Sequence, residues 1–189
     1  MFEYLSGKLA NLTAANAVVD CGGVGYMLEI SLNTYSAIQG KQEVRLWVHE
    51  VIREDAYQRY GFYSTAERDM FRLLLGVNGV GAATARMMLS SLSVDELAGA
   101  IAAQDDKMLK RVKGVGAKTA QRIVLELQDK VSGTASAITA TAAVSRSKEE
   151  ALSALVMLGF PKATADKVLQ QLDASLSVEE LIKQALQKL

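Results

Sequence analysis

Lys107-Met108-Leu109-Lys110-Arg111-Val112-Lys113-Gly114-Val115-Gly116-Ala117-Lys118-Thr119-Ala120-Gln121-Arg122 is the stretch on which the reading of this chain turns. It is basic, bends on two glycines one residue apart, and then opens a helix. The continuation, Ile123-Val124-Leu125-Glu126-Leu127, repeats apolar residues at helical spacing. A Gly-x-Gly turn ahead of a helix bares backbone N–H groups at the positive end of the helix dipole, which is a ready seat for a phosphate oxygen. Glycine also permits positive φ and a close approach to the backbone that a side chain would block.

The unit occurs twice. Asn78-Gly79-Val80-Gly81-Ala82-Ala83-Thr84-Ala85-Arg86 lies 35 residues earlier and matches at Gly, Val, Gly, Ala, Thr and Ala. A repeat on that scale marks a repeated supersecondary unit. A dinucleotide fingerprint would need a strand before the turn and a third glycine three positions on; here the preceding residues are helix-like and the position holds Thr84 or Thr119. A P-loop would need Gly before Lys-Ser/Thr, where this chain has Ala117-Lys118-Thr119. A single copy reads equally well as a helix C-cap glycine followed by a new helix. Two copies are different, above all because the second carries five basic residues and no acid from Lys107 to Lys118. They look like paired helix-hairpin-helix motifs, which hold DNA phosphates without reading sequence. Gly79, Val80, Gly81, Gly114, Val115 and Gly116 would offer backbone, and Arg86, Lys118, Thr119 and Arg122 side chains.

Charge supports that placement. The net charge is zero, which argues against a protein that coats nucleic acid indiscriminately. Residues 1–62 carry 5 Lys/Arg against 7 Asp/Glu, residues 63–131 carry 10 against 8, and the remainder 6 against 6. The positive surplus therefore coincides with the paired hairpins.

Residues 1–63 read as β. Ala17-Val18-Val19-Asp20 and Val24-Gly25-Tyr26-Met27-Leu28-Glu29-Ile30 flank a Cys21-Gly22-Gly23 turn, and Val44, Leu46 and Val48 alternate with polar or amphipathic neighbours. Five or six short strands at this size fit an oligonucleotide-binding (OB) type β-barrel. Residues 64–131 switch to helical period, with capping boxes at Ser64-Thr65-Ala66-Glu67 and Ser93-Val94-Asp95-Glu96. Residues 132–147 are small and weakly polar and read as a flexible linker. Residues 148–189 read as three helices, capped at Ser147 and Ser177 and broken at Gly159-Phe160-Pro161. The expected class is multi-domain α+β: barrel, tandem helix-hairpin-helix domain, linker and small three-helix (UBA-like) domain.

Other chemistry is sparse. His49, the single histidine, alternates outward with no Ser/Asp or Cys constellation nearby, and one cysteine, Cys21, makes neither a disulfide nor a cysteine metal cluster. No catalytic, metal or cofactor site is expected. No apolar run reaches the roughly 20 residues of a membrane span, and no secretory signal is apparent, so the cytoplasm is the expected compartment. The rival reading is a nuclease or glycosylase anchored by the same hairpins, which would need a lysine nucleophile with a catalytic aspartate, or a carboxylate cluster for metal.

With these pieces assembled, the chain resembles the RuvA family of bacterial Holliday-junction-binding subunits over its whole length. The carrying stretches are Gly22-Gly23-Val24-Gly25-Tyr26, Val51-Ile52-Arg53-Glu54-Asp55-Ala56, Tyr60-Gly61-Phe62, Asn78-Gly79-Val80-Gly81, Gly114-Val115-Gly116-Ala117-Lys118-Thr119-Ala120 and Leu158-Gly159-Phe160. The resemblance implies a homotetramer, or an octamer of two tetramers, holding a four-way junction open and flat for recombination and repair. It implies a RuvB ATPase docked on the third domain, with Leu155, Leu158 and Leu186 as candidate contacts, and a RuvC nuclease sharing the junction. It makes Glu54 and Asp55 an acidic pin at the tetramer centre, with Arg53 guiding a strand; on the residues alone they would read as a solvated hairpin turn. Ala82-Ala83 stands where the family often has proline and lysine, which implies a weaker grip at the first hairpin, with Arg86 a partial replacement. In the second hairpin, Lys113 replaces a common proline and Ala117 a frequent lysine.

Overall fold

The computed structural model describes residues 1–54, 56–135, 140–173 and 176–188. Two compact units emerge, Met1–Gly133 and Thr134–Leu189.

The first unit begins with strands β1 (Tyr4–Leu12), β2 (Asn16–Cys21), β3 (Val24–Ile30), β4 (Glu43–Ile52) and β5 (Tyr57–Phe62), closed in the order β1-β2-β3-β5-β4. All pairings are antiparallel except β3 with β5. The expected β2–β3 turn forms on Gly22 and Gly23, both at positive φ, with the Gly23 N–H donating to the Asp20 carboxylate at 2.7 Å. Alternating Val44, Leu46 and Val48 fill the barrel with Leu5, Val19, Leu28, Ile30 and Ile38. Between β3 and β4 lies a helix the sequence reading omitted, α1 (Leu32–Ile38), started by Ser31 accepting from the Thr34 N–H.

Five helices follow: α2 (Thr65–Leu75), α3 (Ala82–Ser91), α4 (Val94–Ala102), α5 (Asp106–Leu109) and α6 (Ala117–Ala135). Their core is continuous with the end of the barrel, since Tyr60 and Phe62 of β5 pack with Phe71, Leu74, Met88, Leu97, Ile101 and Ile123. Barrel and hairpin helices therefore share one compact unit. His49 does alternate to the face of β4 opposite Val48, where it is half-buried; its ring packs 5.5 Å from that of Phe71, and burial, with Arg72 and Arg68 nearby, holds its pKa below the usual imidazole range.

The two expected capping boxes in this region part company. Ser93 and Glu96 form one reciprocally. Ser64 accepts from the Glu67 N–H, but the Glu67 side chain turns away into the core, 4% exposed, to accept from the Ser31 and Thr34 hydroxyls. It thereby ties α2 to the start of α1, a long-range pairing that local spacing does not encode.

The second unit holds α7 (Ala140–Met157), α8 (Lys162–Gln170) and α9 (Val178–Leu186) around Ala151, Leu155, Ala165, Leu169, Leu172, Leu181 and Ala185. Ser147 is not an N-cap, because α7 begins earlier, at Ala140; the alanines of this stretch favour helix. Helices thus enter both ends of the 132–147 stretch read as linker, and residues 136–139 between them lie outside the described residues. Helix α7 stops where Gly159 takes φ 98°, with Phe160 N–H donating to Leu155 O and Gly159 N–H to Val156 O. Ser177 and Glu180 form the expected capping box on α9.

Candidate nucleic-acid interface

The two hairpin turns are built alike. Gly79 and Gly114 both sit at φ 92°. In the first turn Val77 N–H donates to Leu74 O and Val80 N–H to Val77 O; in the second, Val112 donates to Leu109 O and Val115 to Val112 O. The side chains of Val77, Val80, Val112 and Val115 are buried in the helical core. Val80 and Val115 therefore pin the turns from inside, and only their backbone can meet a ligand.

The turns also face each other about an approximate two-fold axis. A β-carbon placed on Gly79 would lie 3.9 Å from Thr119 Oγ1, and one on Gly114 would lie 4.0 Å from Thr84 Oγ1. Thr119 is thus half-buried between the hairpins and belongs to their packing more than to an outer surface.

What sets these turns apart is an uncapped helix start on a glycine; α8, whose N-cap Pro161 likewise makes no side-chain cap hydrogen bond, has proline there. Helices α1, α2, α4, α5 and α9 each start with a Ser or Asp side chain accepting a backbone N–H. Helix α3 starts at Gly81 with no side-chain cap, and α6 follows Gly116, which has no side chain to offer. Among the described residues no side chain accepts from the first N–H groups of either helix, which lie at the positive ends of their dipoles beside exposed glycines. That pair of uncapped, dyad-related amide cradles suits two phosphates.

Cations gather unevenly around them. Lys107, Arg111, Lys113 and Lys118 are exposed near the second turn without an ion pair among the described residues, while Lys110 is tied to Asp106 at 3.0 Å. The first turn has Ala83 where the second has Lys118. Arg86 does not make up the difference: its guanidinium points back to the barrel, 3.4 Å from the Glu29 carboxylate and 3.2 Å from Ala15 O. Arg122 of α6 instead reaches the first turn, its Nη1 3.5 Å from Asn78 O. The first cradle therefore borrows its charge from the helix of the second.

The β4–β5 hairpin closes through Arg53 N–H to Ala56 O at 2.8 Å. Arg53 and Glu54 are exposed at its tip; Asp55 lies outside the described residues. The hairpin's base is fixed by Glu50, whose side chain is 3% exposed beside Arg59 and accepts from the Phe2 N–H at 3.0 Å and from the Tyr57 hydroxyl. Burial alone would raise the Glu50 pKa, but the Tyr57 and Phe2 hydrogen bonds and neighbouring positive charge together hold it below the usual carboxylate range.

Comparison with known proteins agrees with this architecture segment by segment. Residues 1–61 match the RuvA N terminal domain, residues 71–129 the SAM-like helix-hairpin-helix tandem, and residues 147–189 the RuvA C-terminal domain. Proteins named Holliday junction branch migration complex subunit RuvA are 46% identical in Bacteroides fragilis, 48% in Bacteroides thetaiotaomicron and 45% in Porphyromonas gingivalis, each covering all of both chains. The chain belongs to the RuvA family. Within the RuvA framework, the geometry sorts the sequence candidates. Gly79, Gly81, Gly114, Gly116, Lys118 and Arg122 share one exposed region, Val80 and Val115 support it, and Arg86 leaves it. In the second unit, Leu158 and Leu186 are exposed, but Leu155 is fully buried in the three-helix core and cannot face a partner.

Proposed function

We propose that this chain is a non-catalytic, structure-selective DNA-binding subunit that grips the arms of four-way junctions. The observation that carries the reading is the pair of uncapped glycine helix starts, set side by side with Gly79 near Thr119 and Gly114 near Thr84. Amides so placed hold phosphates of a groove without contacting base edges, so binding follows DNA shape and charge. Lys118 and Arg122 add charge-assisted contacts. At the β4–β5 tip, Glu54 and Asp55, repeated around a homotetramer, would repel phosphates and keep duplex from threading the centre, while Arg53 draws a single strand alongside. ATP-driven movement belongs to a RuvB-type ATPase docking on the second unit, and a RuvC-type nuclease acts on the same junction. One or two tetramers engage each junction, in the cytoplasm; among the described residues no helix is long and apolar enough to cross a membrane.

The full-length relatives support this reading over a hairpin-anchored nuclease or glycosylase, since their names describe a branch-migration subunit. Gel shifts at low salt with an immobile four-way junction and a linear duplex of the same sequences test it. Preference for the junction, insensitivity to arm sequence and no nicking with magnesium are expected. Failure to bind the junction, or cleavage of it, overturns the proposal.

A further inference from the structure

Arg86 stands on the helix that opens from the first cradle, yet it is spent on the barrel. Its guanidinium sits 3.4 Å from Glu29 on β3 and donates to Ala15 O in the β1–β2 loop. Glu29 in turn accepts from Gln58 on β5 at 3.1 Å. Gln58 is on the strand that returns from the Arg53–Ala56 turn, so one chain of polar contacts runs from the first cradle's helix to the hairpin carrying Glu54. Both ion-pair members are about a quarter exposed, so the contact is partly shielded from solvent. Farther along α3, Asn33 of α1 donates to Leu89 O at 2.7 Å and to Leu92 O at 3.0 Å. Helix α3 is therefore held against the barrel at two places, and Arg86 is the one nearer the cradle.

We infer that Arg86 is a positioning residue: through Glu29 and Gln58 it sets the phosphate cradle of the first hairpin against the β4–β5 tip, and so governs selectivity for branched over linear DNA. This rests on the junction-binding reading. A linear duplex needs only the cradles. A junction must satisfy the cradles and the central tip at once, and that multivalent gain disappears when the geometry between them slackens. A positioning role and a direct phosphate contact then leave different signatures.

The test measures dissociation constants for a four-way junction and a linear duplex across a salt series, using the full chain and the variants Arg86→Met, Arg86→Lys and Glu29→Gln. Arg86→Met keeps the apolar stem and removes the charge. Its preference for the junction is expected to fall about tenfold, with duplex affinity and its salt slope unchanged. Glu29→Gln should lose preference in the same direction, a fourth variant combining Arg86→Met with Glu29→Gln should be no worse than Arg86→Met alone, and Arg86→Lys should recover part of the loss. Should Arg86→Met not fold at the assay temperature, Glu29→Gln and Arg86→Lys decide the matter by the same ratio. If Arg86→Met instead weakens both DNAs alike and flattens the slope by about 0.9, Arg86 is a phosphate contact and the inference fails. Unchanged preference in the variants also overturns it. Absence of junction preference in the unsubstituted chain would be a failure of the underlying reading, and is seen separately.

Discussion

Gly79 and Gly114 hold φ 92°, where a β-carbon strains the backbone even though the space beside each is open to 3.9 Å and 4.0 Å. Gly79→Ala and Gly114→Ala should therefore each cost about 1–3 kcal/mol, and nearly the same amount, because the strain is conformational and the two sites are equivalent. Thermal melts of the two variants check this; a large inequality would mean that packing against Thr119 or Thr84 dominates. Glu67 makes a different case. Burial pushes its pKa up against the lowering effect of the Ser31 and Thr34 hydrogen bonds. A raised acid binds its proton more tightly in the native chain than in the unfolded one. Stability contributed by that proton is present at low pH and is lost as pH climbs from the unfolded value near about 4.3 through the raised native value. Glu67→Gln should flatten this part of the profile of melting temperature against pH, and an unaltered profile would show that the carboxyl does not carry it.

At the scale of the element, the hairpins differ in charge more than in shape. Introducing Ala83→Lys places a cation at the first helix start where the repeat puts Lys118 in the second. It should tighten junction binding and steepen the log–log salt slope by about 0.9, while Lys118→Ala should weaken binding and flatten it by about the same amount. Salt titrations of both variants decide it; a slope that ignores Ala83→Lys would mean no phosphate passes that helix start. The turns and the Ser93 and Ser177 boxes were legible in the sequence because their partners lie within four residues, and the hairpin repeat because its two copies share six residue types at a fixed offset of 35. Glu67, Arg86 and His49 were not, because Ser31, Glu29 and Phe71 meet them only when distant segments fold together. Helix α1 was missed for a related reason: its seven residues carry little apolar period, and α1 is fixed to α3 by Asn33 donating to Leu89 O and Leu92 O. Spacing within a segment predicts caps and turns; it does not say which polar side chain a neighbouring segment will claim.

For the whole molecule, the division into two compact units separates what each can lose. The hairpin cradles and the β4–β5 tip all belong to the first unit, while Leu155, Leu158 and Leu186 belong to the second. In that second unit, Leu155 is 0% exposed, whereas Met157 is 89% and Leu158 61% exposed just ahead of the Gly159 break. Truncating the buried leucine removes packing from a core of few large side chains, so Leu155→Ala should cost about 2–5 kcal/mol. Leu158→Ala removes side chain from an exposed site and should change stability by less than about 0.5 kcal/mol. If the exposed residues form the ATPase-docking face, Leu158→Ala should weaken capture of a RuvB-type partner and slow branch migration while junction affinity stays as in the parent chain. Leu155→Ala should impair the partner only in proportion to unfolding of the second unit, and cooling should restore it. Pull-down, branch migration and junction gel shifts, run side by side at two temperatures, separate these outcomes. Loss of junction binding in Leu158→Ala would contradict the assignment of DNA grip to the first unit, and full partner binding by Leu158→Ala would move the docking face elsewhere on the chain.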